Sequence, residues 1–187
     1  ILITVMAAAG AGDLTLAAHQ LVFTLFSTLA FALDALAIAA QALIGAELGA
    51  ARPDAARRLT RTMVRWGLGF GVVTGAVLAL AAPVLPGLFT TDPQLLAVTV
   101  PLVTFSAFIL IADGGQVVMA NALRGQADTW VPTALHFFSY YGVMIPLGAV
   151  LALSAGRGVV GLFEGILIAS LVSISVLSLR FHLLSRT

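Results

Sequence analysis

The 187-residue chain is 60% hydrophobic and 9% charged, with a formal net charge of +1 and a mean hydropathy of +1.10. Soluble domains are about half apolar and about a quarter charged, so this composition belongs to an integral membrane protein. The small net charge gives no electrostatic case for nucleic acid. The lack of cysteine excludes disulfides, thiolate metal sites and cysteine nucleophiles.

The chain opens at Ile1 inside an apolar stretch, with no basic n-region and no small-residue cleavage site. It therefore reads as a helix entered part-way, not as a signal peptide. The expected order is a stub over Ile1–Ala11 and then five spans. These run roughly over Leu16–Leu48, Leu59–Leu85, Pro93–Leu123, Trp130–Leu153 and Val159–Leu183. Each holds the ~20 apolar residues a crossing needs, and the longer ones imply tilt. Barrel strands would show short alternating segments instead.

The connections are short. Gly49–Asp54 carries a helix stop, a proline and Asp54 as a candidate cap for the next helix. In Thr90–Pro93 a capping residue precedes proline at the first helical position. Arg124–Thr129 and Ser154–Gly158 are further turns. All nine basic residues are arginine. Arg52, Arg57, Arg58, Arg61, Arg65, Arg124, Arg180 and Arg186 cluster at one set of span ends, and Arg157 lies alone at the other. The positive-inside rule makes the arginine-rich ends and the C-terminus cytoplasmic. Counting the stub, this half then has six spans. Orientation alone is the simpler role for the arginine cluster, and contact with anionic headgroups is the alternative.

Polar residues inside the spans carry the functional signal. In the first full span Gln20, Ser27, Asp34 and Gln41 recur every seven residues, a slowly drifting stripe that faces other helices or a water-filled cavity. Interhelical hydrogen bonding is the plainer explanation of the amides and the hydroxyl. In the third, Ser106, Asp113, Gln116 and small Ala120, with Asn121 beside it, share one face. An acid there costs a few kcal/mol or more, which makes Asp113 the leading candidate for a proton or Na⁺ site. The alternative is a protonated acid bonded to a neighbouring helix. Gly114 and Gly115 allow a close approach or a bend beside it.

In the fourth span His136 and Tyr140 share a face. His136 reads as a proton carrier or as a neutral hydrogen-bonded residue. Tyr140 reads as an aromatic wall for organic cations or as packing. Pro146 marks a break in that span. Gly67, Gly71 and Gly75 form a small-residue ridge for helix packing. Glu47 is expected to pair with the nearby arginines, and Glu164 to reach water or Arg157. No nucleophile–base set, zinc motif or phosphate loop appears, so neither an enzyme nor a bound cofactor is expected.

Several runs together resemble one family. They are Ala17-Ala-His-Gln20, Gln41–Ala50, Asp113–Gly125 with Asp128-Thr129, Pro146-Leu-Gly148 and Gly158-Val-Val-Gly161. In this order they resemble the C-terminal lobe of a multidrug and toxic compound extrusion (MATE) transporter, over about Ala17 to His182. The resemblance implies an all-α membrane fold, one six-helix lobe of a twelve-helix exporter with its first helix truncated. Residues 1–187 would be that lobe, with the N-terminal lobe as its partner in the same chain. It implies an antiporter in a bacterial-type inner membrane, driven by H⁺ or Na⁺ and exporting small organic cations by alternating access.

In one branch of the family an acid on the tenth helix belongs to the coupling-cation region, and Asp113 matches it. Asp113 is then also the metal ligand if the ion is Na⁺. A second acid, on the seventh helix, has no match in Ile1–Gly10. Asp34 and Glu164 depart from the usual pattern, and Asp34 stands as the second coupling candidate. Gln116, Ser106, Tyr140, His136, Gln41, Ser27, Gln20 and Asn121 are expected to line the cavity or cation site. The alternatives are a lipid-linked oligosaccharide flippase, which would need basic residues in its cavity, and a membrane subunit that transports nothing.

Overall fold

The computed structural model describes residues 12–184. The expected stub, and with it the sixth span and Arg186, lies outside them. Five helices among the described residues are long and apolar enough to cross a membrane: α1 (Asp13–Gly49), α2 (Pro53–Ala81), α3 (Pro93–Gly125), α4 (Trp130–Ser154) and α5 (Gly158–Leu184). The second begins before the expected Leu59 because Pro53 suits a first helical position. It stops at Ala81, short of Leu85, because Pro83 and Pro86 cannot donate to a continuing ladder, and a 3-10 turn at Leu85–Leu88 follows.

Helix α3 is central, packing on α1, α2 and α5, while α4 packs chiefly on α5. The α2–α3 crossing is a glycine clasp. A Cβ added to Gly67 would lie 2.6 Å from the Gly114 carbonyl oxygen, and one added to Gly71 would lie 2.8 Å from the Gly114 Cα. The close approach beside Asp113 is thus made by another backbone. The α4–α5 contact repeats the device, with a Gly165 Cβ falling 2.8 Å from the Gly148 Cα. In a membrane such approaches replace the hydrophobic drive with dispersion contacts.

The apolar core is split in two. Around Leu33, Ile44, Val118, Leu123 and Leu177 it fills the arginine-rich end. Around Val22, Leu78, Leu102, Leu110 and Phe163 it fills the other. Neither buried set includes an α3 residue between Leu110 and Val118. That gap, Ile111–Val117, sets the polar side chains of Asp113 and Gln116 beside Gly114 and Gly115, a waist between the two cores.

At the helix ends local chemistry corrects one expectation and bears out another. Asp54 does not cap α2; Arg52 takes the N-cap position without a side-chain bond, and Asp54 lies in the first turn, where its charge suits the helix dipole. Gly49 and Gly125 end helices without adopting the left-handed conformation, which falls instead on Ala51 (φ 56) and Ala127 (φ 64). Gly125 serves packing, because its Cβ would lie 2.7 Å from the Gln41 carbonyl oxygen on α1. Asp92 does cap α3, accepting from the Gln94 N–H at 2.9 Å, with Pro93 next.

Candidate functional site

The waist opens into a cavity of about 270 Å³ between four helices. Asp113 and Ser106 come from α3, Tyr140 and Met144 from α4, Ser170 and Phe163 from α5, and His19, Phe23 and Phe26 from α1. Among the described residues Asp113 is the one carboxylate on the wall. Its Oδ1 accepts a hydrogen bond from Ser170 Oγ at 3.3 Å. The other polar groups belong to neutral side chains or imidazole, and the aromatic rings make the rest of the wall apolar. Pockets of this kind, largely apolar with a few converging polar groups, are the usual form of small-molecule sites.

Tyr140 reaches the wall from a stretch of relaxed helix. Pro146 has no N–H to offer the Gly142 carbonyl, and the preceding turns Phe138–Met144 widen to π geometry. A second π stretch follows at Val150–Ser154. The Tyr140 hydroxyl accepts from Gln116 Nε2 at 2.9 Å. Gln116 Oε1, Ser106 Oγ and His19 Nδ1 are buried without a hydrogen-bond partner among the described residues. Buried polar atoms normally have partners, and two of these three belong to side chains on the cavity wall.

The structure brings together Asp113, Ser106 and Tyr140, with Gln116 behind Tyr140. It does not bring in the rest of the expected set. Gln20 and Asp34 are exposed on α1, outside this wall. Ser27 turns its hydroxyl back to the Phe23 carbonyl, and Thr24 and Thr28 bond their own helix in the same way. The stripe therefore finds no interhelical partners among the described residues. Half-buried Gln41 lies at the α1–α3 crossing, where its carbonyl meets Gly125. Asn121 Nδ2 donates to the Val117 carbonyl of its own helix at 2.9 Å. The His136 ring meets the edge of the Tyr140 ring at 6.0 Å but is not on the cavity wall.

Two polar wall residues escaped the residue-by-residue reading. His19, 3% exposed, lies between the Phe23 and Phe163 rings at 6.1 and 6.0 Å. A histidine in an apolar run was a visible signal. Ser170 gave none, because a single hydroxyl in a span is commonplace.

The ends of the bundle are tied by ion pairs. Arg180 Nε and Nη2 both reach Asp128 Oδ2 at 3.0 Å, linking the end of α5 to the α3–α4 turn. Glu47 pairs with Arg52 at 3.0 Å, and Glu164 with Arg157 at 2.8 Å.

The MatE family profile matches residues 1–150. The chain belongs to the MatE family. It is 38% identical over 178 residues to the multidrug resistance protein NorM of Burkholderia vietnamiensis, covering 92% of this chain and 38% of that protein. It is 30% identical over 164 residues to the multidrug resistance protein PmpM of Pseudomonas aeruginosa, covering 85% of this chain and 34% of that one. Its fold matches the eukaryotic MATE transporter AtDTX14 with a TM-score of 0.85 at 23% identity, over 91% of this chain and 38% of that chain. It matches an outward-facing MATE transporter of the MOP superfamily with a TM-score of 0.89 at 19% identity, over 95% of this chain and 39% of that one. This MatE chain thus spans less than two-fifths of the length of these relatives. Its multi-pass membrane architecture is that of the family's transporters.

Proposed function

We propose that this MatE chain is the lobe of a multidrug exporter that carries the coupling cation, H⁺ or Na⁺, on Asp113. One observation carries the reading: among the described residues, one carboxylate lines a four-helix cavity whose wall is otherwise rich in aromatic side chains. A charge there is expensive, so taking up a proton or Na⁺ changes the relative stability of any two packings that expose it differently. Ser170, Ser106 and Tyr140 add hydroxyl oxygens near the carboxylate, and hard cations favour such ligands. Among the described residues no three His, Cys, Asp or Glu side chains group to hold a metal, so a transition-metal role has no support. The aromatic wall suits an organic cation competing for the same charge.

In this reading a second lobe completes the path, and the arginine-rich ends and the C-terminus face the cytoplasm. Among the described residues no arginine lines the cavity, so they offer the diphosphate of a lipid-linked oligosaccharide no guanidinium counter-charge there.

The test is efflux of a fluorescent organic cation from vesicles holding the protein that contains these residues, with H⁺ and Na⁺ gradients imposed separately. The expected result is transport under one gradient and a loss of at least about tenfold in Asp113→Asn, since a neutral amide cannot exchange charge. Normal transport by a folded Asp113→Asn variant sinks the coupling role and moves attention to Asp34.

A further inference from the structure

The first turns of α2 carry Arg57, Arg58, Arg61 and Arg65, all exposed. At 3.6 residues per turn they fall within roughly a 100° arc. The arc lies outside the face that buries Ala56, Thr60, Val64 and Gly67. Among the described residues no carboxylate pairs with any of the four, the ion pairs being Arg52–Glu47, Arg157–Glu164 and Arg180–Asp128.

An apolar groove of about 440 Å³ starts at Arg65, at the border of this arc, and runs down the adjoining face of the helix, lined by Arg65, Trp66, Gly69, Phe70 and Val73. Gly69 is its notch, since a Cβ added there meets nothing within 4 Å. Trp66, 67% exposed, stands at the level where the basic turns give way to apolar ones, the usual depth of interfacial tryptophan.

A ligand for this face needs an anion at the basic end and a hydrocarbon tail below it. Free phosphate supplies only the first. A zwitterionic lipid supplies both but brings its own cation to the arginines. We propose that this face of α2 binds one anionic phospholipid. Arg61 and Arg65, one turn apart, hold its phosphate, and an acyl chain lies over Gly69 between Trp66 and Val73. Guanidinium groups suit phosphate because their donors match its oxygens in pairs. The proposal does not depend on what the Asp113 cavity carries.

Trp66 makes the site readable. The protein containing this chain is reconstituted in phosphatidylcholine vesicles doped with brominated phosphatidylglycerol or, separately, brominated phosphatidylcholine. The Trp66 signal is the difference between the protein and its Trp66→Phe variant. Brominated phosphatidylglycerol is expected to quench Trp66 in clear excess over brominated phosphatidylcholine. Arg65→Gln should cut that preference about fivefold, the weight of one arginine at an anionic surface. Gly69→Leu fills the notch in open space and should reduce quenching while the fold is kept. Inorganic phosphate should not relieve it. Equal quenching by both lipids, an excess that survives Arg61→Gln with Arg65→Gln, an excess that survives Gly69→Leu, or relief by inorganic phosphate overturns the proposal. So does an absence of quenching by either lipid, which would mean that polypeptide covers the face.

Discussion

Gln116 Nε2 donates to the Tyr140 hydroxyl at 2.9 Å, joining α3 to the relaxed turns of α4 just beyond Asp113. Gln116 is 1% exposed, and its Oε1 has no partner among the described residues. Tyr140→Phe therefore strands a buried amide and should cost about 1–3 kcal/mol of stability. Gln116→Leu removes the stranded group as well, so in the Tyr140→Phe background it should recover most of that loss. Thermal unfolding of the two single variants and the double variant in detergent gives the coupling directly. No destabilisation by Tyr140→Phe would show that the bond contributes nothing.

The glycine clasp makes a sharper contrast. A Cβ on Gly114 would lie 2.6 Å from both the Gly67 carbonyl oxygen and the Gly71 Cα, and backbone cannot swing aside. Gly114→Ala is expected to cost about 3 kcal/mol, the upper end of ordinary overpacking. Gly69→Ala, on the same helix pair but in open space, should instead gain about 0.5–1 kcal/mol from helix propensity. Equal melting temperatures for the two variants would refute the clasp.

The turn after α3 sets two neighbouring residues against each other. Ala127 holds φ 64, a conformation that costs a non-glycine residue about 1 kcal/mol. Ala127→Gly should recover much of that, while Gly125→Ala should be destabilising because of the Gln41 carbonyl at 2.7 Å. Denaturation midpoints of the two variants should move in opposite directions.

The Arg180–Asp128 pair pins the same turn to α5. Arg180 remains partly exposed, so Asp128→Asn is expected to cost only about 1 kcal/mol at low salt. The cost should shrink in molar salt, where the Debye length falls to about 3 Å. A salt-independent loss would point to packing instead of charge.

What could be read from the sequence was whatever broke a pattern. Asp113 stood out because an acid interrupts an apolar run, and the spans stood out because water-soluble helices are not built that way. Ser170, its hydrogen-bond partner, broke no pattern. The Gln20–Gln41 stripe was legible as a period, but a period does not say which side of a helix its neighbours occupy; Gln20 and Asp34 turned out exposed. Pro146 announced a disturbance without saying that the helix would widen to π geometry. Gly125 sat where a turn glycine belongs, and only the α1 backbone beside it reveals the other reason for it.

The glycine clasp lies at the depth of Asp113, and Gly114 is the next residue along α3. Two helices locked backbone to backbone there behave as a single rigid girder. The cavity wall that carries Asp113 is therefore braced from behind by α2. Across the cavity α4 carries Tyr140 on its π turns and is itself clasped to α5 through Gly148 and Gly165. The chamber is thus buttressed from two sides by glycine contacts, one behind Asp113 and one along α4.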